Sequence, residues 1–193
     1  MAQLAARASA HDMDLVAQSV GGNRDAFGEL VRRHGSGVRA LLRRMGADAA
    51  TADDLAQDAF LAAFEQVAEF RGEGTFAGWV KRIAARLYIR RWRREARMPL
   101  GPEAPDEDMG VGRGESGANA RIDLDEALKG LSPVERLCVS LCYGAGLSHA
   151  EAAAALNAPL GTVKSHVKRG LDKLKGALVA EPSLSTQERA YNG

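Results

Sequence analysis

The sequence predicts an all-α protein: two small helical domains joined by a flexible acidic linker. Three observations carry that prediction. Apolar residues recur at helical spacing through successive segments, and no run shows the alternating β-branched pattern of a strand. Only 5% of the residues are aromatic while Ala and Gly are abundant, which suits small bundles better than sheets. Residues 98–120 break the periodicity, with four glycines and three prolines between Pro99 and Gly114 and the acids Glu103, Asp106, Glu107, Asp108 and Glu115. That composition buries little and reads as a tether. The predicted organisation is a frayed or disordered start at 1–11, a first domain at 12–97, the linker, a second domain at 121–180 and a polar tail at 181–193.

Asp12 to Val20 reads as a short helix, broken by Gly21, Gly22 and Asn23. The next helix has Phe27, Leu30, Val31, Val38, Leu41 and Leu42 as its apolar positions. Gly35 and Gly37 are candidate bends, Gly46 ends it, and Arg32, Arg33, Arg39, Arg43 and Arg44 form a solvated polar side. A third helix spans roughly Thr51 to Phe70. Ala56, Ala59, Phe60, Ala63 and Val67 gather on one of its sides; Asp54, Asp58, Leu61 and Glu65 gather on the other, with Gln57 at the edge. A leucine set into an acidic stripe is unusual for a purely solvated face, and plain solubility is the competing explanation.

The loop Arg71 to Thr75 leads into a helix from Phe76 to about Arg97, with Phe76, Val80, Ile83 and Leu87 as the stripe to bury. The opposite side carries Lys81, Arg82, Arg86 and Arg93, with Tyr88, Ile89 and Trp92 among or beside them, and Arg90, Arg91, Arg94 and Arg97 add charge. Basic groups neutralise phosphates and flat rings stack on unpaired bases, so the mixture suits melted DNA. A solvated basic face explains the charges but not the rings. The net charge of +1 hides this segregation, and for a nucleic-acid protein the local distribution matters more than the total.

Beyond the linker a helix resumes at Ile122 to Leu131. Ser132 caps the next one, with Pro133 in its first turn and Glu135 completing a capping box; Leu137, Val139, Leu141 and Cys142 then supply core. Gly146 to Lys175 reads as two helices joined by a turn. Ser148 and Glu151 form a second capping box, Ala152, Ala155 and Leu156 make a small apolar face, and Asn157 tolerates the left-handed turn. Pro159 suits the approach to the next helix. Val163, Val167, Leu171, Leu174 and Leu178 are its buried stripe, leaving Thr162, Lys164, Ser165, His166, Lys168 and Arg169 outward. Short, hydroxyl-bearing and basic side chains at the start of an exposed helix can reach phosphates and base edges in a major groove. An ordinary hairpin with a solvated lysine face is the bland alternative.

The stretch GLSHAE followed by LNAPLGTVKSH resembles the minus-thirty-five-binding helix-turn-helix of the extracytoplasmic-function sigma factors. DDLAQDAFLAAFE resembles that family's polymerase-docking helix, and FRGEGTFAGWVKRIAARLYIRRWRRE its minus-ten-recognition segment. The resemblance spans most of the chain, with both domains in matching order. It implies that Asp54, Gln57, Asp58 and Leu61 meet the clamp coiled coil of core RNA polymerase. It assigns Arg71, Gly72, Thr75, Phe76, Trp79, Lys81, Arg82, Arg86, Tyr88 and Arg93 to the minus-ten element, where a base is flipped from the stack to be read. Trp79 fits the DNA fork and the core equally. Thr162, Lys164, Ser165, His166, Lys168 and Arg169 are assigned to the minus-thirty-five duplex. Further implications are promoter DNA and an anti-sigma factor as partners, no cofactor, and DNA opening without nucleotide hydrolysis. Departures from the family pattern are Ala152, Asn157, His166 and Arg86, which stand where a larger aliphatic, Gly, Arg and Asn are usual.

Other classes fit less well. Cys138 and Cys142 share a helical face near His149, but no fourth metal ligand is evident and the pair reads as core. No secretory signal and no run of about twenty apolar residues appears, so the expectation is a cytoplasmic chain with no membrane insertion. No phosphate cradle or nucleophile–base pairing points to an enzyme. An autonomous helix-turn-helix regulator explains the second domain as well as a sigma factor does, but not the acidic stripe or the basic–aromatic helix.

Overall fold

A computed structural model describes residues 2–96 and 124–179, with side chains described over 11–95 and 124–177. Arg97, Ile122, the linker at 98–120 and the tail at 181–193 lie outside the described residues, as does the side chain of Leu178. Every regular element among the described residues is helical.

The first unit holds α1 (Ala2–Val20), α2 (Arg24–Met45), α3 (Ala49–Glu65) and α4 (Phe76–Ala96). Helix α1 begins ten residues before the expected start at Asp12, in an alanine-rich run of high helix propensity. Asp12 is a buried mid-helix residue: its carboxylate sits 2.8 Å from His34 Nε2 and 3.4 Å from Arg33 Nη1 on α2. Asn23 caps α2 by accepting from the amides of Asp25 and Ala26, and Gly46 ends it in the left-handed region at φ +116°. Gly35 and Gly37 leave α2 unbroken. Asp48 caps α3 through the Thr51 amide. That helix stops at Glu65 rather than Phe70, and a 3₁₀ turn, Val67–Glu69, carries the chain to the loop.

Helices α2, α3 and α4 pack around Phe27, Leu30, Leu42, Ala59, Phe60, Ala63, Phe76, Val80 and Ala84. The alanines of α3 are its buried stripe, and their small size lets neighbouring backbones come close. Each large apolar side chain so buried contributes about 1.5–3 kcal/mol.

The second unit holds α5 (Leu124–Lys129), α6 (Pro133–Val139), a π-helical turn (Ser140–Gly144), α7 (His149–Leu156) and α8 (Leu160–Val179). Both capping boxes form: Ser132 with Glu135, and Ser148 with Glu151. Leu137, Leu141, Ala152, Leu156, Val163 and Val167 form its core, and Cys138 is buried among them, its thiol pushed by burial up to about 12.

The two units pack against each other, and their apolar residues run together into one core. Leu41 of α2 meets Gly144 so closely that a Cβ there would fall 2.6 Å from Leu41 Cδ1. Ser140 Oγ donates to the Arg44 carbonyl at 3.2 Å, and Arg44 Nε donates to Asp125 at 2.6 Å.

Candidate nucleic-acid interface and docking face

Helix α7 ends where Asn157 adopts φ 54° and ψ 45°, and the amides of Asn157 and Ala158 close the turn on Ala154 and Ala153. The Pro159 carbonyl accepts from the Val163 amide and opens α8. Val163, Val167 and Leu174 are buried and Leu171 half-buried, so the helix phase is fixed from beneath. That phase exposes Lys164, Ser165, Lys168 and Arg169 and leaves Thr162 and His166 half-buried beside them. All six candidates occupy the first three turns of one helix.

Glu135 lies under α8 at 1% exposure. Its Oε2 accepts from the Ser132 amide at 3.1 Å and from Lys173 Nζ at 2.8 Å; its Oε1 is 3.7 Å from Arg169 Nε. Arg169 Nη2 in turn donates to His166 Nδ1 at 2.9 Å. Burial pushes the Glu135 carboxyl up, but the Lys173 and Ser132 hydrogen bonds outweigh it and the net shift is downward. Sequence reasoning found Glu135 only as a cap. Its pairing across 38 residues of chain leaves no local signal.

The second candidate surface is the loop before α4 and the exposed side of that helix. Gly72 and Gly74 are left-handed, at φ +77° and +88°. Met13 of α1 lies over the loop, its Cε 3.2 Å from where a Gly72 Cβ would stand. Thr75 is exposed and its hydroxyl accepts from the Gly78 amide at 3.1 Å, holding the first turn of α4. Arg71, Arg82, Arg86 and Arg93 are exposed, and Lys81 is half-buried.

Two candidates are corrected here. Phe76 is 1% exposed and packed edge-on to Phe27 and Phe70, so it is core rather than a DNA contact. Tyr88 is 7% exposed and its hydroxyl donates to the Met45 carbonyl at 2.9 Å, so no ring face is free for a base. Trp79 is half-buried, its ring tilted on Phe70 at 5.3 Å and Phe76 at 5.8 Å, and is the aromatic left at the surface beside the loop.

Arg82 crosses to the second unit. Its Nη2 donates to the Gly146 carbonyl at 2.9 Å, and its Nη1 is 4.0 Å from Glu151. Beyond it Arg86, Ile89, Arg90, Arg93, Arg94 and Ala155 line a cleft of about 460 Å³ between α4 and α7. Four guanidinium groups in one cleft make a strongly electropositive opening, suited to phosphate.

On α3, Asp54, Gln57, Asp58 and Leu61 are all exposed, opposite the buried alanine stripe. Leu61 is 63% exposed and Phe64, one turn away, 38%. Phe64 rests edge-on against Phe27 at 5.0 Å, and Leu61 stands free of the core beside it. Exposed apolar surface flanked by carboxylates is the composition of a protein-docking face.

Comparison with known proteins decides the family. The sigma-70 region 2 family model matches residues 30–98 and the sigma-70 region 4 model matches 127–176. The ECF RNA polymerase sigma factor SigM of Mycobacterium tuberculosis is 33% identical over 84% of this chain and 82% of its own. The chain belongs to the extracytoplasmic-function sigma factors of the sigma-70 family. The ECF RNA polymerase sigma factor SigE of Mycolicibacterium smegmatis is 34% identical over 84% of this sigma factor, which spans 65% of SigE's length. The solved structure of CnrH in complex with the cytosolic domain of CnrY is 29% identical, with a TM-score of 0.51 over 89% of this chain and 99% of that one. Membership makes this chain a promoter-selecting subunit of RNA polymerase and leaves no part for the autonomous duplex-binding regulator.

Proposed function

We propose the following division of labour in this sigma factor, with domains at 12–97 and 121–180 and a connecting linker at 98–120. The α3 face of Asp54, Gln57, Asp58 and Leu61 docks on the basic clamp coiled coil of core RNA polymerase. The loop from Arg71, with Trp79 and the arginines of α4, takes the melted minus-ten strand. The start of α8, through Thr162, Lys164, Ser165, His166, Lys168 and Arg169, holds the minus-thirty-five duplex. Capture of flipped bases drives opening; nucleotide hydrolysis has no role.

The observation that carries this reading is that three chemically distinct surfaces stand on three separate helices: acidic–apolar on α3, basic with a half-buried indole on α4, and short polar–basic on α8. CnrH was solved bound to the cytosolic domain of CnrY, which supports a protein partner beyond polymerase for this chain also, and an anti-sigma factor is the partner proposed. The chain acts in the cytoplasm, where polymerase and promoter are; among the described residues no helix is long and apolar enough to cross a membrane.

Run-off transcription with purified core polymerase on a library of promoter fragments tests the reading. Start sites that depend on this protein and vanish with Asp54→Arg plus Asp58→Arg are expected. Both side chains are exposed, so the double variant should keep its fold. Undiminished transcription by that variant would remove α3 from the docking role.

A further inference from the structure

Glu135 has more partners than a helix cap requires. The capping box uses Oε2 alone, and a glutamine would serve it equally. A carboxylate at 1% exposure is costly unless its charge is matched, and the match comes from the recognition helix, from Lys173 at 2.8 Å and Arg169 at 3.7 Å. The approach is enforced by Gly170, where a Cβ would fall 2.7 Å from Val139 Cγ2 and 3.6 Å from Glu135 Cβ. Only a residue without a side chain lets α8 settle this close to α6.

The pairing continues outward. Arg169 is held at Nε by Glu135 and at Nη2 by His166 Nδ1, 2.9 Å away. A guanidinium has donors only, so Nδ1 accepts and the ring proton lies on Nε2. The buried carboxylate therefore orients Arg169, and Arg169 fixes the tautomer and tilt of His166. Arg169 and Lys173 keep about half of their side-chain surface exposed, so both remain within reach of a nucleic acid.

We propose that Glu135 is a positioning residue for minus-thirty-five readout: from beneath the recognition helix it sets Arg169 and, through it, His166 in the geometry that meets the upstream duplex. It also draws Arg169 and Lys173 away from indiscriminate phosphate contact. The inference rests on the reading of α8 as the minus-thirty-five helix, and its test separates the two.

The experiment measures binding of holoenzyme to a promoter fragment recovered from the run-off selection, to versions with single substitutions in the upstream element, and to poly(dI-dC). Glu135→Gln keeps the cap and the shape but removes the charge. It should reduce discrimination between the selected and substituted fragments by about fivefold or more. It should also steepen the salt dependence on poly(dI-dC) by up to about two charges, because Arg169 and Lys173 are released to phosphates. A role confined to stability would move neither quantity once the protein is folded. The triple variant Lys164→Ala, Ser165→Ala, His166→Ala is the control on the underlying reading: discrimination unchanged by it removes the start of α8 from the upstream element. Loss with the triple variant but none with Glu135→Gln, at equal thermal stability, overturns the positioning role alone. Should Glu135→Gln fail to fold, Arg169→Lys tests the same relay, since it keeps the charge but cannot bridge both partners. Discrimination should then fall with the salt slope unchanged, and unaltered discrimination overturns the proposal.

Discussion

Arg82 of α4 donates a hydrogen bond to the backbone carbonyl of Gly146 at 2.9 Å, and that bond joins the two helical units across their boundary. The same guanidinium faces Glu151 of α7 at 4.0 Å. A group assigned to the minus-ten strand is thus engaged by the helix-turn-helix, with a carbonyl and a carboxylate where DNA would present phosphate oxygens. An exposed pair of this kind holds only weakly, because solvent screens it. The apolar core shared by the two units contributes the larger share.

Gly144→Ala is therefore expected to loosen the two units from each other while each keeps its fold. The added methyl meets Leu41 Cδ1 at 2.6 Å, and overpacking of this order costs about 1–3 kcal/mol. Small-angle scattering of the free protein should show a larger radius of gyration than the parent. Identical scattering curves for the two proteins would mean that the interface absorbs the methyl without opening.

The burial of Tyr88 and the half-burial of Trp79 separate two aromatic roles. Tyr88→Phe loses the hydrogen bond to Met45 and should cost about 1 kcal/mol of stability, with no change in binding of a minus-ten single strand by holoenzyme. Trp79→Ala should weaken that strand by about 1–3 kcal/mol if a base stacks on it. Fluorescence anisotropy with a labelled strand reads both. The opposite ranking of the two variants would return Tyr88 to the DNA face.

Acid should destabilise the helix-turn-helix unit through its capping carboxylates. Glu151 is held below its ordinary value of 4.5 first by the Ser148 amide and then by the Ser148 hydroxyl. For Glu135 burial acts upward, and the Lys173 and Ser132 hydrogen bonds bring the net shift below 4.5. A depressed folded-state value means that the unfolded chain binds the proton first. The stabilisation is complete above pH 4.5 and is lost as pH falls through the lowered values. Urea midpoints followed from neutral pH downward should decline in that window, and Glu135→Gln should flatten the decline. An equal slope in parent and variant would show that other groups carry it.

Much of the fold is legible because the signals are local. Ser132, Ser148 and Asn157 mark helix ends by hydrogen bonds within three or four residues of themselves, and the alanine stripe of α3 follows from one period. The exposed rows on α3 and α8 follow from the same arithmetic, since each of those helices buries one side. Helix α4 does not. Ile83, Ala84, Ala85, Tyr88 and Ile89 are all buried, because the helix packs against its own unit and also faces α7. A single stripe read from spacing therefore misassigns Tyr88. Phe76, at the first position of α4, fits both the buried stripe and the minus-ten segment by its place in the sequence, and only its packing among Phe27, Phe70 and Trp79 separates the two. Asp12, the expected start of a helix, lies inside α1 instead, where Arg33 and His34 of α2 engage its carboxylate, and no local spacing announces those partners.

The amino-acid sequence by itself determined the all-α class, the order of the helices, the two capping boxes and the family, because each depends on residues close together in the chain. The tertiary structure alone decided what lies beneath and between those helices: Glu135 under Arg169, Leu41 against Gly144, Arg82 on Gly146. These contacts join residues tens of positions apart. Their energy is realised only when whole helices pack, so no periodicity in either partner announces them.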